Sequence, residues 1–199
     1  RPPLSLRQES QAIKRSLQSA LKSRGDGMTL DYACRPCDAD TLVSTVTDPR
    51  LKVLHYSGHG TDKFITIENE DGSTGVVEGG HLKDMLSRRG KNVDVVFIAA
   101  CQSEWSPVFT LLFLCSPCPP RSLQGMAGNF VQASIPHVIA VTTTSFVLDS
   151  NARVFATTFY ACLIGGQTVQ KAFNNARDRV RMGEDEMELT GRGGEGMFK

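Results

Sequence analysis

The chain has 199 residues, 40% of them hydrophobic and 22% charged, and a formal net charge of +1. That is one ordinary globular domain, long enough for a substantial core. The near-zero charge leaves no basic excess for a phosphate backbone, and the longest apolar stretch, Val108–Leu114, is far too short to span a bilayer. Both nucleic-acid binding and membrane insertion are therefore argued against. The chain opens without Met or a signal peptide, and its first residues read as a cut edge.

Leu6–Lys22 carries Leu6, Ile13, Leu17, Ala20 and Leu21 at helical spacing, with Gly25 and Gly27 as stops. Met28–Ala33 is predicted as a strand. Asp38 reads as the N-cap of a short helix over Ala39–Val46, closed by Asp48-Pro49. Leu51–Ser57 is a strand that delivers Gly58-His59-Gly60. Phe64–Glu68 alternates, Asp71-Gly72 turns the chain, and Gly75–Val77 returns as its hairpin partner.

A helix over Glu78–Arg89 places Leu82, Met85 and Leu86 on one face and ends at Gly90. Next comes Asn92–Ser103, where Val93, Val95, Val96, Phe97 and Ile98 form a β-branched apolar run leading to Ala99, Ala100 and Cys101. Such a run is what a parallel strand covered on both faces looks like. Leu123–Ala133 reads as a helix broken by Pro136, and His137–Thr142 as another buried strand. Helices over Ser150–Leu163 and Gln167–Arg181 follow, separated by Gly165-Gly166. Gly183–Lys199 lacks periodicity and is expected to be a disordered tail or a truncated linker. Strands alternating with helices predict an α/β fold, a mainly parallel sheet flanked by helices on both faces. A first strand ahead of Leu6 is expected for such a sheet and is absent, which again reads as truncation.

Of the six cysteines, Cys34/Cys37 and Cys115/Cys118 form two CxxC pairs about eighty residues apart, wider than zinc ribbons place them. No metal is expected. Free thiols in a reducing compartment are the simpler account, which points to the cytoplasm; Cys162 reads as a helix-core residue. No GxGxxG or Walker pattern occurs, so no nucleotide cofactor is expected.

In open α/β sheets chemistry collects at the carboxyl ends of the strands. Two buried runs, about forty residues apart, end there with His59 and Cys101. For either residue alone the plainer reading, a loop His or a structural Cys, is favoured. Together they suggest nucleophilic catalysis, because a cysteine attacks as thiolate and an imidazole can take its proton. The amides of Gly60 and Cys101 are the candidate oxyanion donors. No orienting Asp or Asn is evident. Of the other histidines, His55 reads as a core or edge residue, His81 as first-turn helix and His137 as a strand start.

His55-Tyr56-Ser57-Gly58-His59-Gly60 and Ala100-Cys101-Gln102-Ser103 resemble the CHAT domains of the caspase/separase clan of cysteine peptidases. The resemblance continues through Ala127–Ala133 before Ile135–Val141, then Phe159-Tyr160, Leu163, Gly165-Gly166 and Ala172-Phe173, covering most of Leu4–Arg181. It implies a three-layer caspase-like sandwich over residues 1–182. It also implies a cysteine endopeptidase with His59 as general base and acid, Cys101 as nucleophile, and Gly60 with Cys101 as oxyanion donors. Protein or peptide substrates follow, in a larger regulatory protein that carries tetratricopeptide or NTPase modules. The alternative is a catalytically silent signalling or scaffold domain.

Asp149 matches approximately the acidic residue that lines the pocket for a basic P1 side chain in separase-like relatives; the N-cap of the following helix is the reading preferred for it. Thr144-Ser145-Phe146 stand where the family often has a Trp. Trp105–Ser122, with four prolines and two cysteines, departs most from the family pattern. Its apolar centre follows neither helix nor strand period. It reads as a substrate-gripping or inhibitory loop, or as a retained intron or mis-joined exon.

Overall fold

The structure, a computed structural model, describes residues 6–61, 63–89, 92–101, 110–115, 126–142 and 146–192. Two compact units emerge, one formed by residues 33–148 with 1–6, the other by residues 7–32 with 149–199.

The first unit holds the sheet. β1 (Val53–His59), β4 (Val95–Cys101) and β6 (His137–Thr142) run parallel, and β5 (Thr110–Cys115) adds antiparallel to β6, giving the order β1-β4-β6-β5. A separate hairpin, β2 (Phe64–Glu68) and β3 (Thr74–Glu78), leaves the end of β1 and turns through Gly72, whose φ of 78° suits glycine. The α/β class and the mainly parallel sheet are as expected.

Residues on both faces of β4 are buried: Val96 and Ile98 on one, Val95 and Phe97 on the other. A strand with no solvated face cannot alternate, which is why its sequence is a continuous apolar run. The Val96/Ile98 face packs into one cluster with three helices. These are α2 (Ala39–Thr47), α3 (Gly79–Arg89) and α4 (Met126–Gln132), contributing Leu42 and Val46, Leu82 and Leu86, and Met126 and Phe130 respectively. α2 starts where predicted. Asp38 accepts from the Thr41 amide at 2.6 Å and from the Thr41 hydroxyl at 2.8 Å, satisfying a donor that the first helical turn leaves open.

The second unit is helical: α1 (Leu6–Arg24), α5 (Phe146–Ile164) and α6 (Val169–Arg192). Phe155 and Phe159 are fully buried, and Phe155 meets Phe173 edge-on at 5.4 Å between centroids. α1 is tied to α5 by the Ser16 hydroxyl donating to the Thr157 carbonyl (2.8 Å) and by Arg24 donating to the Ile164 carbonyl (2.8 Å).

Several expectations fail. Met28–Ala33 is not a strand: the segment is irregular and joins no sheet, and Met28 and Leu30 are exposed. The Tyr32 hydroxyl, 3.1 Å from that of Ser10, ties its end to α1. Alternation alone cannot make a strand where no neighbour supplies a ladder. α6 continues to Arg192, through residues 183–192 where an irregular tail is expected. Glu184, Glu186, Met187, Glu188 and Leu189 are good helix formers, and they outweigh the single Gly183. Within the atypical segment, residues 110–115 form β5, held by six register pairs to β6. The rest of Trp105–Ser122 lies outside the described residues, as do residues 193–199 and the residues ahead of Leu6 that bear on a missing first strand.

Candidate active site

β1 does not stop at Ser57 but runs through the glycine to His59, its last residue. His59 is exposed, Gly58 half-buried and Gly60 buried. The strand passes through glycine for a steric reason. Tyr56 leans forward along β1 over Gly58, and a Cβ at position 58 would lie 2.5 Å from the Tyr56 hydroxyl oxygen and 2.8 Å from Cζ. That ring ends at the backbone of His59. The Tyr56 hydroxyl lies 2.7 Å from the His59 carbonyl oxygen and 2.9 Å from the Thr66 carbonyl oxygen on β2, so its one proton is shared between them. The Thr66 hydroxyl donates to the same His59 carbonyl at 3.0 Å. Beyond it, Gly60 bridges to Ile65, and the Thr61 amide donates to the Phe64 carbonyl at 2.8 Å. The peptide that carries His59 is therefore pinned from β1 and β2 together.

β1 and β4 pair in parallel over seven residues, from Val53↔Val95 to His59↔Cys101. The two residues singled out in the sequence are register partners, each the last residue of its strand. Neighbouring strands lie about 4.8 Å apart, so the two α-carbons are direct neighbours across the strand pair. The Cys101 side chain lies outside what the structure describes.

The CHAT domain family model matches residues 5–190. The chain belongs to the CHAT domain family. No curated protein matches it. The family is related to caspase-like peptidases.

The other expected site residues of the CHAT domain are placed as follows. Gly60 follows directly on His59 and is buried. Asp149 is not an N-cap: α5 begins at Phe146, which puts Asp149 inside the first turn. Residues after Leu148 belong to the second unit, and the Asp149 side chain lies outside what is described.

The remaining histidines of the CHAT domain have packing roles or lie on the surface. His55 stacks on Phe97, its register partner, at 4.6 Å between centroids. His81 is exposed in the first turn of α3. His137 begins β6, where burial lowers its basicity and the carboxylate of Asp94 partly restores it. Cys34, Cys37 and Cys162 are free thiols, and among the described residues no group of three His, Cys, Asp or Glu is gathered to hold a metal. No helix among the described residues is long and apolar enough to cross a membrane.

Two residues at this site escape sequence reasoning, Tyr56 and Thr66. A signal for the first exists. An aromatic two residues before a glycine in a strand lies on the glycine's own face, and an interior strand glycine marks a close approach.

Proposed function

We propose that this CHAT domain is a cysteine endopeptidase in which His59 and Cys101 act as a dyad. One observation carries the reading: the two residues are register partners at the carboxyl ends of adjacent parallel strands. The imidazole of His59 takes the Cys101 proton, and the thiolate attacks the scissile carbonyl carbon to form a C–S bond. The amides of Gly60 and Cys101 stabilise the resulting oxyanion. Collapse breaks the C–N bond, and the imidazolium gives its proton to the leaving amine. Water, deprotonated by the same imidazole, then hydrolyses the thioester and regenerates the thiol. No metal or cofactor enters. The substrate is a protein or peptide, and Asp149 favours a basic P1 side chain, an assignment that rests on the family resemblance. On the same footing, the domain sits within a larger regulatory protein carrying tetratricopeptide or NTPase modules; free thiols in a reducing compartment are the ground for placing it in the cytoplasm.

A second reading, a catalytically silent signalling or scaffold domain, is favoured by one observation, the burial of Gly60. A single experiment separates them. The chain is treated with peptide acyloxymethyl ketones of varied P1, and the adduct is mapped by mass spectrometry in the wild type, His59→Ala and Cys101→Ala. Labelling at Cys101 that depends on His59 supports the peptidase, and the preferred P1 residue tests Asp149. Labelling spread over all six cysteines and indifferent to His59 overturns it.

A further inference from the structure

We propose that Tyr56, with Thr66 as its partner, is a positioning residue for His59. The proposal rests on the reading of His59 as general base, and it asks what fixes that base where strand pairing ends. β1 terminates at His59, so the residue that must present the imidazole is also the one most prone to fray. Two polar contacts converge on its carbonyl, and a third ties their donors' residues together. The hydroxyls of Tyr56 and Thr66 both reach the His59 carbonyl, at 2.7 and 3.0 Å, and Tyr56 also lies 2.9 Å from the Thr66 carbonyl. The ring of Tyr56 is itself packed against the core cluster that includes Val96, Ile98 and Ile65. The glycine at 58 gives that ring its path.

The consequence is geometric. A peptide plane held by two donors from two strands cannot rotate freely, and its rotation would swing the Cα–Cβ bond on which the imidazole is mounted. Displacements of about 1 Å in a catalytic group can cost on the order of a hundredfold in rate. Tyr56 reaches the His59 backbone carbonyl rather than its imidazole, so the role proposed for it runs through the placement of His59. Its chemistry is a neutral hydrogen bond, and its removal is expected to be moderate in effect.

The test pairs kinetics with a direct view of the histidine. Tyr56→Phe keeps the ring and removes the hydroxyl. It is expected to lower the maximal rate of Cys101 labelling by a peptide acyloxymethyl ketone about fivefold, at unchanged probe affinity. Thr66→Val acts in the same direction, and Thr66→Ser, which keeps the donor, restores the wild-type rate. Circular dichroism and melting curves confirm that the variants fold. In parallel, ¹⁵N-histidine spectra are recorded, with the His59 ring signals assigned through His59→Gln. Tyr56→Phe should shift or broaden the His59 signals and leave those of His81 unmoved. Unchanged labelling and unchanged His59 signals in both Tyr56→Phe and Thr66→Val overturn the proposal. Wild-type labelling that ignores His59 sinks the peptidase reading instead, and the ring signals then still decide whether Tyr56 fixes this histidine.

Discussion

The ring of His55 lies flat on the ring of Phe97, 4.6 Å between centroids and 9° from parallel, four residues before His59 on the same strand. The two are register partners on β1 and β4, so the stack spans the same strand pair that ends at His59 and Cys101. Phe97 is fully buried, with none of its surface reaching solvent. Phe97→Ala removes most of a buried aromatic side chain and leaves a cavity the packed sheet cannot close. It is expected to cost about 3–5 kcal/mol. For a chain of this length that lowers the melting temperature by roughly 6–20 °C. Phe97→Leu, which refills much of the volume, should cost clearly less. Melting curves of the two variants check the order.

A different prediction comes from Gly58. The Cβ of an alanine there would sit 2.5 Å from the Tyr56 hydroxyl oxygen, closer than real contacts allow, so the ring must move away. In moving it gives up its contacts with the His59 and Thr66 carbonyls. Gly58→Ala should destabilise by about 1–3 kcal/mol through crowding and lost hydrogen bonding together. If the Tyr56 hydroxyl is what collides, the substitution costs less on a Tyr56→Phe background. A double-mutant cycle by chemical denaturation reads the difference as a coupling energy.

The parts of this fold that were legible are those where one residue type has one strong reason to stand. Asp38 caps α2 because an oxygen acceptor one residue before a helix has few other uses. Val93–Ile98 marks a central strand because only double-sided burial tolerates such a run. That His59 and Cys101 lie at the same end of the sheet was legible because each follows a buried apolar run, but the sequence predicts a first strand that stops at Ser57, and the shared register of the two was not visible in it. What failed to show depends on partners distant in sequence. Met28–Ala33 alternates as a strand does but finds no ladder. β5 is apolar without alternation, and its place is set by backbone pairing to β6. The contact from Tyr56 through Gly58 to Thr66 joins residues of two strands, and no local pattern encodes the distance.

The thiols at 34 and 37 should react at different rates. Cys34 is exposed, whereas Cys37 is half-buried against the core cluster, and its backbone carbonyl accepts the Glu68 amide at 2.8 Å. Burial pushes the Cys37 thiol up, and the adjacent Asp38 charge adds to the shift, so less thiolate is present at neutral pH. Iodoacetamide at pH 8 is expected to modify Cys34 about tenfold faster than Cys37, because Cys34 is exposed while burial limits both access to Cys37 and its thiolate fraction. In concentrated urea the two rates should converge. Peptide mapping after timed quenching measures both, and equal rates in the native protein would refute the assignment.

Acid sensitivity follows from the α2 cap. The Thr41 amide, then the Thr41 hydroxyl, hold the Asp38 carboxyl below its usual range. A carboxyl whose folded pKa is depressed contributes stability above its unfolded value near 4, and that contribution is lost as pH falls through the folded value. Asp38→Asn keeps an oxygen acceptor at the cap but cannot titrate. The wild type should therefore melt higher than Asp38→Asn at pH 6, and the gap should shrink as the pH is taken below 4. Asp38→Ala, which removes the acceptor altogether, should melt lower than either at pH 6. A gap between wild type and Asp38→Asn that stays constant from pH 6 to pH 3 would show that the charge at position 38 is not what the cap uses.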